Sequence, residues 1–162
     1  MSHVSMRVRL LSHAAMIAAL YVALTLVSAA VGLASGVIQI RLSEALTVLA
    51  AFTPAAIPGL AVGCLLSNIL TGCLPWDVVF GTLATLIGAL GTYALRRVSR
   101  WFAPIPPILA NALIVPAVLQ SVYGDPHSYP FLILTVGVGE IISAGVFGMI
   151  LYHAVKKTKL FK

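Results

Sequence analysis

Apolar residues run along this chain in six blocks, and polar or helix-breaking residues separate them. The blocks are Leu10–Ala34, Leu42–Phe52, Gly59–Leu70, Val78–Leu95, Ile108–Val122 and Phe131–Val155. Each interruption after Ala34 carries a proline, a glycine or both: Pro54 and Pro58, Gly72 and Pro75, Pro104, Pro106 and Pro107, then Gly124–Pro130. Proline removes a backbone donor and clashes with the preceding turn, so these positions are expected to mark helix boundaries. A helix crossing the roughly 30 Å hydrocarbon layer needs about 20 apolar residues. The second and third blocks are shorter than that. Either flanking residues extend them, or they stop partway and a loop dips in where protein surrounds it. The polar stretch Ser35–Ser43, beside the short second block, is the candidate for such a loop.

The blocks predict an all-α integral membrane protein of six transmembrane helices, forming one domain over residues 1–162. Composition supports this: of 162 residues 60% are hydrophobic and only 9% charged, with a mean hydropathy of +1.07. So few charges cannot coat a water-soluble globule. Arg7 and Arg9 before a long apolar run resemble a signal peptide, but Leu10–Ala34 is too long for its apolar core. A retained first span is expected.

The net charge of +6 points to the membrane surface rather than to nucleic acid, because of where the charges lie. Placing the N-terminus in the cytoplasm and counting six crossings puts Arg7, Arg9, Arg96, Arg97, Arg100, Lys156, Lys157, Lys159 and Lys162 on the cytoplasmic side. That is nine of the ten basic residues, with Arg41 alone outside. Such asymmetry predicts a multi-pass protein of the cell membrane with both termini cytoplasmic.

Four acidic residues remain to be explained. Asp125 belongs to an outer loop. Glu44, Asp77 and Glu140 all fall in the outer half of the bundle, Glu140 about 13 Å below the start of its helix at 1.5 Å per residue. Charge inside a membrane calls for a reason, and three such carboxylates suggest an outward cavity for a polar or cationic small molecule. Simpler readings stand beside this one. Asp77 is placed to cap a helix N-terminus, and Glu44 is three residues from Arg41, a spacing that suits an ion pair. Gln39, Asn68 and Asn111 either bridge helices or join the cavity. Asn68 is at the right depth, whereas Asn111 falls nearer the cytoplasmic end unless its helix breaks at Pro116. Trp76, Phe80 and Tyr129 form either an interfacial aromatic belt or a stacking wall. His13 is expected to be packing or interfacial. Small residues recur at helical spacing in the first, fourth and sixth blocks and suit close helix contact. On the first they include Ala14, Ala15, Ala18 and Ala19, which suit a neighbouring helix or a partner subunit. Cys64 and Cys73 have no metal or redox spacing. No phosphate-binding loop, hydrolase motif or Cys/His cluster is present, so the chain is expected to be neither an enzyme nor a metal protein.

Four stretches are similar to the queuosine-precursor transporter family (QueT): IQIRLSEALTVLAAFTPAAIPGLAVGCLLSNIL from Ile38 to Leu70, DVVFGTLATLIGALGTYALRR from Asp77 to Arg97, PIPPILANALIV from Pro104 to Val115, and VGVGEII from Val136 to Ile142. The resemblance implies the S-component fold and a role as the substrate-binding subunit of an energy-coupling factor (ECF) importer. It implies a deazaguanine precursor of queuosine as ligand. It also implies a transmembrane coupling protein and two ATPases as partners, with ATP used by those subunits and no cofactor in this chain. The first-helix contact with the coupling protein would fall on Ala14/Ala18 or Ala15/Ala19. For such a ligand, Glu140 would accept from adjacent ring N–H and amino donors, and Glu44 or Asp77 would hold an aminomethyl cation. Arg41, Asn68 or Asn111 would donate to the carbonyl, and Trp76 or Phe80 would stack on the ring. The alternative is a self-contained, ion-coupled transporter or channel using the same carboxylates.

Overall fold

The computed structural model describes residues 3–34 and 38–158, and every regular element among them is helical. Ser35–Val37, part of the proposed dipping loop, and Lys159 and Lys162 lie outside the described residues. We label the helices α1 (His3–Ala30), α2 (Leu42–Ala51), α3 (Ala56–Leu70), α4 (Pro75–Leu95), α5 (Ile105–Ser121) and α6 (Tyr129–Thr158). A single turn at Arg100–Phe102 precedes α5. α1, α4, α5 and α6 are long and apolar enough to cross a membrane, while α2 and α3 are shorter.

The helix starts fall earlier than the proline rule predicts. Pro75 opens α4, Pro106 and Pro107 occupy the first turn of α5, Pro130 that of α6, and Pro58 that of α3. In a first turn the missing N–H has no partner to lose and the fixed φ suits the helix. The prolines therefore begin helices here rather than separate them. Pro116 sits inside α5, which continues through it.

α2 is the central element. All its residues from Ser43 to Ala50 are buried, and α1, α3, α4 and α6 surround it. It is a 3₁₀ helix throughout. At about 2.0 Å per residue against 1.5 Å for an α-helix, ten residues reach about 20 Å instead of 15. Tighter winding thus supplies part of the length that the short block lacks. α6 deviates in the opposite sense: Ile141–Phe147 is wound as a π-helix and packs on α2.

Small residues set the helix separations. A Cβ on Gly59 would come within 2.7 Å of the Ala14 carbonyl, and one on Gly63 within 2.7 Å of the Tyr21 Cβ, so α1 and α3 touch along this line. The small face of α4 is buried in full, through Gly81, Ala84, Thr85, Gly88, Ala89 and Thr92. The core gathers Ile17, Tyr21, Leu46, Leu49, Leu60, Cys64 and Ala89. Large apolar side chains such as Leu11, Ile69, Leu109, Leu113, Leu134 and Ile150 point outward, as lipid-facing residues do.

Among the described residues, the lysine and arginine side chains other than Arg41 belong to one end. Arg7 lies beside Pro54 and Pro58, the Phe52 and Tyr152 rings are 4.6 Å apart, and the Trp101 and His153 rings 6.4 Å apart. These contacts bring the start of α1, the α2–α3 turn, the α4–α5 turn and the end of α6 together. Arg41, Asp77 and the loop 122–128 are at the other end.

Candidate functional site

The far end of the bundle holds a narrow polar slot built from four segments. Gln39, Arg41 and Glu44 come from the start of α2 and its lead-in, Asp77, Gly81 and Thr85 from α4, Asn111 and Val115 from α5, and Val136 and Glu140 from α6. A run of hydroxyls on α1 secures it from behind. Tyr21, Thr25 and Ser28 are spaced 21, 25 and 28, so one helical face presents all three. The Tyr21 hydroxyl donates to Glu44 Oε1. Thr25 Oγ1 donates to Ser43 Oγ at 2.8 Å, and Ser28 Oγ accepts the Leu42 N–H at 2.9 Å. The sequence reading passed over Tyr21. Its signal is three hydroxyl residues on one stripe of the otherwise apolar second half of α1.

The 3₁₀ winding of α2 brings residues three apart into line, so Arg41, Glu44 and Thr47 share a face. The expected ion pair between Arg41 and Glu44 does not form. Among the described residues the one carboxylate within 4.0 Å of a basic side-chain nitrogen is Asp125, beside the His127 ring. Arg41 Nη1 instead donates to Asn68 Oδ1 at 3.3 Å, and Asn111 Nδ2 donates to Glu44 Oε2 at 3.5 Å. Glu44 thus has a donor on each oxygen, and Asn68 bridges α3 to α2.

Asp77 does not cap α4 through its side chain; that helix starts at Leu74 without a side-chain cap. Its Oδ2 accepts from the Tyr123 hydroxyl at 2.9 Å, and Tyr123 also accepts the Leu74 N–H at 3.2 Å. Partial burial, followed by the Asp77 contact, pushes the Tyr123 hydroxyl up to about 12. It stays protonated and a donor at neutral pH.

Glu140 differs from the other two. It is buried, and its Oε2 finds no hydrogen-bond partner among the described residues. One turn on, the buried Ser143 hydroxyl is also unpartnered. An unsatisfied buried polar group costs about 1–3 kcal/mol, and more when charged. The π-helical segment begins at the next residue, and such segments occur disproportionately at functional sites. Gly139 explains how Glu140 reaches the slot. A Cβ there would collide with the Gln39 carbonyl, so only glycine lets the lead-in to α2 lie flat on α6.

Six of the nine residues expected to bind a ligand line the slot: Gln39, Arg41, Glu44, Asp77, Asn111 and Glu140. Asn68 stands behind them through Arg41. α5 runs unbroken through Pro116, the case in which Asn111 was expected nearer the basic end, yet Asn111 lies alongside Glu44 and donates to it. Trp76 and Phe80 are elsewhere. They stack on each other at 6.2 Å and are 62% and 38% exposed, facing away from the slot. They match the interfacial belt and form no stacking wall here. Tyr129 donates to the Leu113 carbonyl at 2.8 Å. Cys64 is buried and accepts from Thr85 Oγ1 at 3.3 Å. The slot itself is small, about 30 Å³. That is room for a water or two, far below the roughly 300–1,000 Å³ of small-molecule pockets.

A second feature lies at the basic end. An apolar groove of about 580 Å³ runs between the first half of α1 and the turn into α3, lined by Ala14, Ala15, Ala18, Pro54, Ala55 and Pro58 among others. The alanine stripe is divided between two uses. Ala14 and Ala18 press on Gly59 and Gly63 of α3, whereas Ala15 and Ala19 are exposed.

Comparison with known proteins follows the same lines. The family model described as QueT transporter matches residues 11–157. Over 74 residues the chain is 40% identical to the queuosine precursor transporter QueT of Lactococcus lactis subsp. cremoris (strain MG1363). That stretch covers 45% of this chain and 43% of the relative, so the alignment spans less than half of the curated protein. No solved structure matches. The chain belongs to the QueT transporter family, a family of transporters rather than enzymes.

Proposed function

We propose that this chain is the membrane-embedded, substrate-binding subunit of an ATP-driven ECF importer and that it captures a queuosine precursor, a 7-deazaguanine, in the polar slot. The observation that carries the reading is the unpartnered, buried Oε2 of Glu140, turned toward a slot whose other carboxylates already have donors. A deazaguanine offers a ring N–H and an amino group side by side, and one carboxylate accepts from both. Arg41 and Asn111 supply donors for the carbonyl. An aminomethyl substituent brings a cation to Glu44 or Asp77, and the three carboxylates exceed the single Arg41 in number.

The slot must widen to admit a bicyclic base. Gly137 and Gly139 before Glu140 and the π-helical stretch after it make α6 the segment suited to that movement. The apolar groove is the docking surface we assign to the coupling protein. There the exposed Ala15, with Ala19 exposed on the same helix beyond the groove, allows close approach of a second helix. The two ATPases join through that partner and spend the ATP. The basic end faces the cytoplasm of a multi-pass protein in the cell membrane, so the slot opens outward.

Calorimetry of the purified full chain in nanodiscs, with 7-aminomethyl- and 7-cyano-7-deazaguanine, tests the reading. At least one is expected to bind with one-to-one stoichiometry, and Glu140→Gln to weaken it while leaving helicity and melting temperature unchanged. Failure of both ligands to bind, or wild-type affinity in Glu140→Gln, overturns the assignment. Uptake into liposomes by this chain alone, without an ATPase module, would overturn the partner part of it.

A further inference from the structure

A second cavity of about 210 Å³ lies against the slot, on the side of the loop 122–128, and the two share Gln39 and Val136 as a common wall. Its other edges include Asp125, His127, Phe131 and Thr135. The His127 and Phe131 rings stack at 4.9 Å with 21° between their planes, forming a flat shelf. Asp125 fixes that shelf. Its Oδ1 accepts the His127 N–H at 2.9 Å and lies 2.7 Å from His127 Nδ1, while Gln120 Nε2 holds the His127 carbonyl at 3.4 Å. Both Asp125 contacts use Oδ1, so Oδ2 keeps its lone pairs. The backbone and ring contacts with His127 hold the Asp125 carboxyl below the usual carboxylate range, and it is charged at neutral pH.

We infer that this cavity is a vestibule in which a flat, donor-rich heterocycle stacks on the His127–Phe131 shelf beside Asp125 before it passes Gln39 and Val136 into the slot. The inference rests on the proposed ligand class. It follows from the mismatch in space: the slot is closed down to about 30 Å³, whereas the neighbouring cavity offers about 210 Å³, an aromatic face and an anion. A guest must wait there while the slot opens. Contacts to the shelf that persist while the guest passes Gln39 and Val136 lower the barrier in both directions and leave the final complex untouched. Their loss therefore slows arrival and departure by the same factor.

Stopped-flow binding of 7-aminomethyl- and 7-cyano-7-deazaguanine to the full chain in nanodiscs, with calorimetry alongside, decides the matter. Phe131→Ala is expected to slow association of both probes about fivefold or more, the lower end for base–aromatic stacking. Dissociation should slow equally, and Kd should stay at the wild-type value. Asp125→Asn is expected to slow the cationic aminomethyl probe about threefold at low salt and the neutral cyano probe not at all. Wild-type rates in both variants would overturn the vestibule, and so would a weakened Kd with an unchanged association rate. The wild-type chain binding neither probe would remove the ligand class itself, and this inference with it.

Discussion

One helix, α1, faces two cavities of opposite character. Its second half sends Tyr21, Thr25 and Ser28 toward a slot of about 30 Å³ that is lined by three carboxyl groups, one guanidinium and two amides. Its first half lines an apolar groove of about 580 Å³ through Ala14, Ala15 and Ala18. By volume the groove would be the binding site. By chemistry it is apolar apart from Arg7 at its edge, and it holds no carboxylate or amide to read a donor-rich ligand. The slot has little space but concentrates the expensive groups, and a buried carboxylate is retained in a membrane bundle only where it has a task. An empty site that binds donors through fixed acceptors gains by being nearly closed, because its charges are then kept from water. A surface that docks another helix gains by being open, smooth and apolar.

Several substitutions break or sharpen this contrast. The largest effect is expected for Glu140→Gln, which removes the charged acceptor: ligand affinity should fall about 10- to 100-fold by calorimetry, in keeping with about 1.5–3 kcal/mol for a hydrogen bond to a charged group. Gly139→Ala should come next. Its methyl group forces the lead-in to α2 off α6, at an overpacking cost of about 1–3 kcal/mol, so both melting temperature and affinity should drop. A Gly139→Ala protein with normal binding would show that Gln39 is no part of the wall. Ala15→Trp fills the groove and leaves the slot alone. ATP-dependent uptake in the proposed ECF complex should fall roughly tenfold, the effect of losing about 1.4 kcal/mol of docking, with Kd for the ligand unchanged. If Ala15→Trp weakens the ligand instead, the two cavities are not separate in function. Tyr21→Phe leaves Glu44 with one donor, and affinity should weaken about fivefold, as expected for about 1 kcal/mol of net hydrogen bonding. The smallest effect, none within error, is expected for Trp76→Ala, because that ring faces away from the slot.

Much of the bundle was legible in the sequence. The six apolar blocks coincide with α1–α6, because a hydrophobic block of bilayer length has few alternatives to a helix. The helix starts were misplaced by a few residues, because a proline at a boundary can stand either just outside a helix or within its first turn. The carboxylates of the slot were also legible, since a charge in an apolar run stands out wherever the chain folds. The aromatic wall was not. An exposed Trp76 and a buried stacking Trp76 have the same local sequence, and only the rotation of α4 about its axis distinguishes them.

The chain by itself determined which residues enter the membrane, which end carries the positive charge, and that three acidic groups share the opposite half. Those properties follow from the summed transfer free energies of local segments. Only the tertiary structure decided the partners: Tyr21 for Glu44 across 23 positions, Tyr123 for Asp77 across 46, Asn111 for Glu44 across 67, and none among the described residues for Glu140 Oε2. Helical periodicity fixes which side chains share a face. Which neighbouring face they meet depends on how closely the helices approach, and here contacts at Gly59, Gly63 and Gly139 set that approach.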